Sequence, residues 1–170
     1  MTSSDIKGGA IITDDGKYRY HLWRKWNSNP SVLFVALNPS TADATVDDPT
    51  VRRMIDFGKL WGYGRMDLVN LYALRSTDPK KLKLDSDPVG PENDDCIEEA
   101  IAGCRYVVAA WGVVHDWMRE RANRVVNILT KHREVNCLGL TKSGDPRHPL
   151  YIARLTMPEM YRALCVKIGR

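Results

Sequence analysis

The sequence predicts an α/β fold: a three-layer α/β/α core around a central, mostly parallel four-stranded sheet, with an N-terminal β-hairpin in front of it. Three observations support this prediction. Four short apolar runs are typical of strands covered on both faces. Helical patterns separate most of these runs, which is the order of βαβ units. An Asp-Gly turn between two extended, aromatic-rich runs indicates the hairpin.

Residues 8–12 and 17–26 form the predicted hairpin around Thr-Asp-Asp-Gly. Its second strand alternates apolar residues such as Leu22 with Arg19 and His21, as a half-buried strand does. The core strands share short, continuous apolar sequence; they are residues 31–37, 66–72, 105–111 and 135–140. The helices mostly begin at Asp, Pro or Gly and carry an apolar face. They are residues 48–60, 91–102, 113–131 and 158–165.

The chain has 170 residues, of which 44% are hydrophobic and 27% charged, as in an ordinary globular protein. This length suits one domain. We expect a single domain over 1–170, made of the hairpin (8–26), a core (31–152) and a C-terminal helix (157–168). Because the chain has no apolar run near the ~20 residues that span a bilayer, and no signal-peptide pattern, we expect a cytoplasmic protein with no membrane partner.

Charge is uneven along the sequence. The segment 85–99 holds seven acidic residues and no Lys or Arg, so the rest of a chain whose total charge is +4 carries +11. If this segment lies to one side, the remaining surface can face a phosphate backbone. The alternative is a solvated acidic loop on a mildly basic protein.

Several familiar sites are missing. The four cysteines include no Cys-x-x-Cys pair and no zinc-finger spacing to histidine, so we expect buried, reduced thiols and no metal. The chain also lacks GxGxxG after a strand, GxxxxGK[ST], GxSxG and HExxH. An NAD enzyme, a nucleotide triphosphatase, a usual serine hydrolase and a zinc protease are therefore unsupported, and we expect no cofactor.

Ligands in an open α/β sheet bind beyond the carboxyl ends of the strands. Four segments leave predicted strands there with polar, Gly or Pro residues: 38–43, 70–75, 111–112 and 141–149. Pro39 forces a turn, and Asn38 can hold a water through its amide oxygen, although the amide does not titrate. The alternative is an Asn-Pro turn without a ligand.

The loop 141–149 gathers potential cations near backbone donors, which suits a phosphate or a developing anion. Its His148 can donate to an oxyanion or move a proton. The residues expected to bind phosphate are Lys142, Ser143, Gly144 and Arg147. A solvated basic loop is the alternative.

Other candidates lie at the same strand ends. Asp43 can orient a water, whereas Asp48 fits a helix cap. Tyr72 and Trp111 follow the second and third strands, where either can stack on a base. The further expected substrate contacts are Pro39, Ser40, Asn70 and Thr141.

The stretch VLFVALNPS is an apolar strand that ends in a (G/A)-x-(N/D)-P motif, and LTKSGDPRHPLY is a closing His-Pro motif with HPL where HPS is more usual. LVNLYALRSTDP and YVVAAWG lie between them. This order resembles the uracil-DNA glycosylase superfamily over about residues 31–152. The pattern LNPSTAD … DDPTVRR … RHPLY also resembles an uncharacterised family of small microbial and viral proteins.

The resemblance implies a DNA-repair enzyme that hydrolyses the N-glycosidic bond of uracil or a modified pyrimidine in DNA, after flipping the nucleotide out of the duplex. It implies that Asn38 positions the attacking water, that Asn70 meets the base edge, and that His148 supports the departing base or enters the minor groove. Two alternatives stay open. One is a non-catalytic nucleic-acid or nucleotide-binding module on the same fold. The other is a hydrolase or transferase that acts on a modified nucleotide through Asp43 and His148.

Overall fold

The computed structural model describes residues 6–162, which form seven strands, three α-helices and three short 3-10 helices. The strands are β1 (Lys7–Ile12), β2 (Arg19–Lys25), β3 (Ser31–Ala36), β4 (Arg65–Asn70), β5 (Tyr106–Ala109), β6 (Val135–Cys137) and β7 (Glu159–Met160). The α-helices are α1 (Pro49–Leu60), α2 (Asn93–Gly103) and α3 (Arg119–His132). The 3-10 helices are Pro79–Leu84, Asp116–Met118 and Pro149–Tyr151.

The sheet is mixed and runs in the order β1-β2-β4-β3-β5-β6-β7. The four strands β4, β3, β5 and β6 pair in parallel at its centre. The hairpin adds β2 to β4 and β7 adds to β6, both antiparallel. The expected four-stranded, mostly parallel sheet is therefore too small, since seven strands join it and half of their pairings are antiparallel. These additions cover strand edges that would otherwise expose unpaired backbone groups.

Helices cover both faces of this sheet, which confirms the α/β class. Along β3, Val32 and Phe34 pack into the cluster that α1 completes. The alternate residues Leu33 and Val35 pack into the cluster that α2 and α3 complete. Continuous apolar sequence is needed here because successive side chains of one strand enter different cores.

Helix α1 begins and ends where the sequence indicates. The Asp48 carboxylate accepts a 2.8 Å hydrogen bond from the Val51 N–H, and Pro49 occupies the first turn. Helix α3 instead starts at Arg119, later than the expected residue 113, because a buried carboxylate at Asp145 accepts from the Val114 N–H and from Arg119. Within residues 6–162, no helix combines the length and the apolar character needed to cross a membrane.

The C-terminal helix expected over 157–168 is wrong in the part that the structure describes. Glu159–Met160 form β7, which pairs with Asn136 and Cys137 of β6. This short segment pairs with the backbone groups at the open edge of β6. That tertiary pairing outweighs the helical pattern of the local sequence. Residues 163–168 lie outside the described part of the chain.

A β-bulge interrupts the hairpin. Ile12 pairs with Arg19 and Ile11 pairs with His21, so β2 carries one extra residue, Tyr20, at this point. Such a bulge re-aims the side chains on one side of it. Arg19 therefore contacts Ala42 on the α1 face, whereas His21 contacts Asp67 on the opposite face. Strict alternation along β2 would place the Arg19 and His21 side chains on the same face of the sheet. The expected alternation is therefore wrong at Arg19.

The acidic segment 85–99 is not set apart from the basic residues. Asp85 forms an ion pair with Lys17 at 3.1 Å. Asp94, in the first turn of α2, pairs with Arg121 and Arg124 of α3 at 2.5 Å and 2.7 Å. Part of this segment therefore ties α2 to α3 and to the hairpin.

Gly64 lies where two backbone segments meet, between α1 and β4. Its carbonyl accepts from the Trp26 and Asn27 N–H groups, and its own N–H donates to the Pro30 carbonyl. A Cβ atom built at Gly64 would come within 2.0 Å of Asn27 Oδ1 and 2.6 Å of the Asn29 backbone nitrogen. Only a residue without a side chain fits this approach.

We expect Gly64→Ala to lower the free energy of unfolding by about 1–3 kcal/mol, because the added methyl group must push the Asn27–Asn29 turn away from β4. Gly103→Ala is the matched control. A Cβ at Gly103 meets nothing within 4 Å, and alanine favours the helix, so urea unfolding should show no loss of stability there. Equal stability of Gly64→Ala and wild type would contradict this packing.

Candidate functional site

A cleft of about 190 Å³ opens beyond the carboxyl ends of β3, β4 and β5 on the α1 face of the sheet, and we call it the strand-end cleft. It brings together five of the residues predicted from the sequence: Asn38, Ser40, Asn70, Trp111 and His148. Parallel strands make this convergence, because all of their carboxyl ends lie at one edge. Side chains that were not predicted as ligand contacts also line it, Arg19 and Asp48 among them.

The side-chain amide of Asn38 is fixed through its nitrogen. Nδ2 donates to the Ser76 carbonyl at 2.8 Å and to the Pro39 carbonyl at 3.0 Å. Its Oδ1 accepts no hydrogen bond from the described residues. Asn38 therefore presents an oriented acceptor at the cleft, which is the geometry needed to hold a water molecule. Pro39 itself is buried behind it, and its carbonyl also accepts from the Ser76 N–H.

Asn70 Nδ2 is a buried N–H donor at the cleft and has no partner among residues 6–162. Asn70 is 1% exposed, and its Oδ1 accepts from Arg19. An unpaired buried donor costs about 1–3 kcal/mol, so this group is poised for an acceptor that a ligand or water would bring. The Nε1 of Trp111 is also unpaired among the described residues, but its ring packs in the α2 and α3 core, 5.8 Å from the Tyr161 ring, and is not placed to stack on a base in the cleft as expected.

Arg19 is the cleft residue that the sequence interpretation missed. Its side chain is 2% exposed, Nη1 donates to the Ala42 carbonyl at 2.9 Å, and Nη2 donates to Asn70 Oδ1 at 3.3 Å. Its Nε has no partner among the residues that the structure describes. Burial lowers the pKa of Arg19 to about 10, so the guanidinium stays charged at neutral pH. The sequence motifs at the strand ends do not predict that Arg19 lines the cleft, because only the bulge in β2 places its side chain there.

His148 contributes a further donor. Its Nδ1 accepts from the Leu150 N–H at 3.3 Å, so in the neutral ring the proton lies on Nε2. Burial lowers the pKa of His148, and Asp48 acts in the opposite direction. Gly112, with a φ of +76°, lets the chain pass so close that a Cβ there would lie 3.4 Å from the His148 Cβ.

Tyr72 does not reach the strand-end cleft. It is 3% exposed and packs in the core on the α2 and α3 face, with its ring 5.7 Å from that of Trp117. The strand ends at Asn70, and the turn that follows carries Tyr72 to the other side of the sheet. Tyr72 is therefore not placed to stack on a base in the strand-end cleft, contrary to the expectation from the sequence.

Asp43 also lies outside the residues that line the cleft. Its Oδ1 accepts from the Thr45 and Val46 N–H groups, and these hydrogen bonds lower the pKa of its carboxyl. Its backbone carbonyl accepts from Arg24. Asp43 thus stabilises the loop that packs on β2. Its role in this structure is structural, whereas the sequence predicted a catalytic one.

The residues expected to bind phosphate form a separate turn. Thr141 and Ser143 share a hydrogen bond, Ser143 donates to the buried Asp145, and Gly144 turns at a φ of +81°. None of Thr141, Lys142, Ser143, Gly144 and Arg147 lines the cleft. Lys142 and Arg147 are exposed on the same loop that carries His148.

No group of three or more His, Cys, Asp or Glu side chains within the described ranges is placed to hold a metal ion. Cys104 and Cys137 are buried free thiols and Cys96 is half-buried. Burial raises the pKa of Cys104 to about 11, so this thiol is neutral and a poor nucleophile at pH 7.

A second cleft, of about 300 Å³, lies on the opposite face between β2, β4 and α2. Asp67 accepts there from His21 at 2.8 Å and from Arg65 at 2.7 Å, so its carboxylate already has partners. The strand-end cleft differs in that two of its buried donors, Arg19 Nε and Asn70 Nδ2, have no partner in the described part of the chain.

Comparison with known proteins gives the following matches. A family profile described as "Protein of unknown function (DUF1643)" matches residues 19–150. Among solved structures, the crystal structure of hetero-hexameric glutamate dehydrogenase from Thermus thermophilus (Leu bound form) is similar at 12% identity and a TM-score of 0.32. That alignment covers 74% of this chain and 30% of the dehydrogenase chain, and a likeness this low carries no argument. No curated protein matches the chain.

We expect His148 to make stability depend on pH. Because its pKa is lowered in the folded state, the unfolded chain binds the proton more readily, and stability falls as pH drops below about 6.5. The stability difference between wild type and His148→Gln, from urea unfolding, should therefore grow as pH rises through this window. A difference between wild type and His148→Gln that does not change with pH would refute the assignment.

Proposed function

Since the chain belongs to the DUF1643 family, whose description leaves the activity open, we propose a function from the strand-end cleft itself. The proposed activity is hydrolysis of the N-glycosidic bond of uracil or a modified pyrimidine in DNA. The resemblance to uracil-DNA glycosylases implies this chemistry. The cleft adds independent support.

The observation that carries the proposal is the set of unpaired donors at the cleft beside an oriented acceptor. Asn70 Nδ2 and Arg19 Nε are buried without partners among the described residues, and the Asn38 amide is fixed through Nδ2 with its Oδ1 free to accept from a water. A pyrimidine leaves as an anion, with negative charge on its carbonyl oxygens. Fixed donors that meet this charge lower the barrier, because they bind the transition state more strongly than the substrate.

In the proposed reaction, the bond between C1′ and the base nitrogen breaks, and its electron pair moves to the base. Asn70 Nδ2 and the His148 Nε2–H donate to the developing anion. Asn38 Oδ1 accepts a hydrogen bond from the water whose oxygen bonds to C1′. The departing base takes up the proton that this water loses, so no metal or redox partner is needed.

The size of the cleft supports a single base as the bound group. At about 30 Å³ per water, a volume of 190 Å³ holds roughly six water molecules, enough for one small ring. A nucleotide in duplex DNA therefore has to leave the stack before its base can enter. The exposed Lys142 and Arg147 precede His148 on the same loop, and we assign them to the DNA backbone rather than to the base.

We expect the purified protein to release free base from an oligonucleotide that contains uracil or a modified pyrimidine. Asn70→Asp, which replaces the donor with an acceptor, should lower the single-turnover rate by about 10²–10³-fold. Asn38→Ala should lower it by at least about 10²-fold, through loss of water positioning. Asn127→Asp, exposed on α3, is the matched control and should keep the wild-type rate.

Two results would count against this proposal in different ways. If no base is released across a broad panel but DNA binding weakens with salt, the non-catalytic binding module becomes the better description. If base is released and both cleft variants keep the wild-type rate, the activity stands but its site lies elsewhere. Circular dichroism of each variant separates loss of activity from loss of folding.

A further inference from the structure

We propose that the strand-end cleft is an oxyanion site, in which Arg19 binds a carboxylate or phosphate group of an acidic ligand. This goes beyond the proposed hydrolysis, because binding of an anion requires no bond to break. Nothing in the sequence motifs points to Arg19, which reaches the cleft only through the bulge in β2.

The buried charge of Arg19 has no ion-pair partner among residues 6–162. Its two contacts are the Ala42 carbonyl and Asn70 Oδ1, both of which are neutral. No carboxylate within the described part of the chain forms an ion pair with it. An unpaired buried charge is strongly unfavourable, so a negatively charged partner at this position would stabilise the protein.

The carboxylates near Arg19 already have other partners. Asp48 caps α1 through the Val51 N–H, and Asp43 holds the Thr45 and Val46 N–H groups. Asp47 forms an ion pair with Arg24 at 2.8 Å. Asp48 and Asp43 favour the charged form of Arg19, while Arg75 and Arg24 oppose it. The carboxylates thus act on Arg19 only through space.

The unpaired groups of the cleft match the chemistry of an anionic ligand. Arg19 Nε and Asn70 Nδ2 are both donors without partners among the described residues, and both belong to residues that line the cleft. A carboxylate or phosphate offers acceptors only, so it can satisfy several donors at once. Neutral uracil brings N–H groups as well, and Asn70 Oδ1 is already taken by Arg19.

The test is calorimetric binding to the full chain at neutral pH with three probes. Orotate is a pyrimidine with a carboxylate, uracil is its uncharged counterpart, and inorganic phosphate is a free oxyanion. We expect wild type to bind at least one of the two anions ten-fold or more tightly than uracil. Preference for orotate identifies a carboxylated ring as the ligand, and preference for phosphate identifies a phosphate group.

Arg19→Met should abolish this preference, so that neither anion binds more tightly than uracil. Arg105→Met, exposed and outside the cleft at the amino end of β5, is the matched control and should keep the preference. If Arg19→Met fails to fold, the wild-type comparison alone still decides the question. Uracil binding as tightly as both anions, or no binding of any probe, overturns the oxyanion site.

The outcomes separate this inference from the proposed hydrolysis. Base release without preference for an anion leaves the hydrolysis standing and removes the oxyanion site. Preference for an anion without base release does the reverse. A preference that survives in folded Arg19→Met shows that another group binds the anion, and it refutes the role of Arg19.

Discussion

The rest of the site depends on one constraint, the burial of a guanidinium that no carboxylate among residues 6–162 pairs with. Arg19 can occupy this position only because the bulge in β2 turns it toward the α1 face and because the Ala42 carbonyl and Asn70 Oδ1 meet two of its donors. The contact to Asn70 fixes that amide in turn, and so leaves Nδ2 as the free donor. One buried cation thereby orders the hairpin, the loop after β3 and the end of β4.

The end of β4 is held from the opposite face as well. Asn93, at the start of α2, donates to the carbonyls of Asn70 and Leu71, and Arg121 of α3 donates to the Leu71 carbonyl at 2.6 Å. Asp94 then pairs with Arg121. Part of the acidic segment therefore helps to fix the position of Asn70 through contacts of α2 and α3. The charge of Asp94 thus stabilises this strand end through its ion pair with Arg121.

Local sequence could predict the strand ends, and hence the positions of Asn38, Asn70, Trp111 and His148. A strand that is apolar throughout and stops at a polar turn leaves little choice of register. Arg19 could not be predicted, because one extra residue in β2 reverses the face it occupies. Tyr72 and β7 also escaped prediction. Tyr72 follows a turn whose direction depends on packing against α2 and α3. The strand β7 forms because it pairs with the otherwise open edge of β6.

The pairing of β2 with β4 has a consequence for the order in which the molecule folds. Leu22 and Leu68 meet across this pairing, although α1 and β3 separate them along the chain, and His148 joins the cleft from much later in the sequence. Contacts at such separation form slowly, because the entropy of closing long loops must be overcome first. We therefore expect the cleft to be completed at a late step of folding. During synthesis on the ribosome, the surroundings of Arg19 in the cleft are complete only after His148 has been added to the chain.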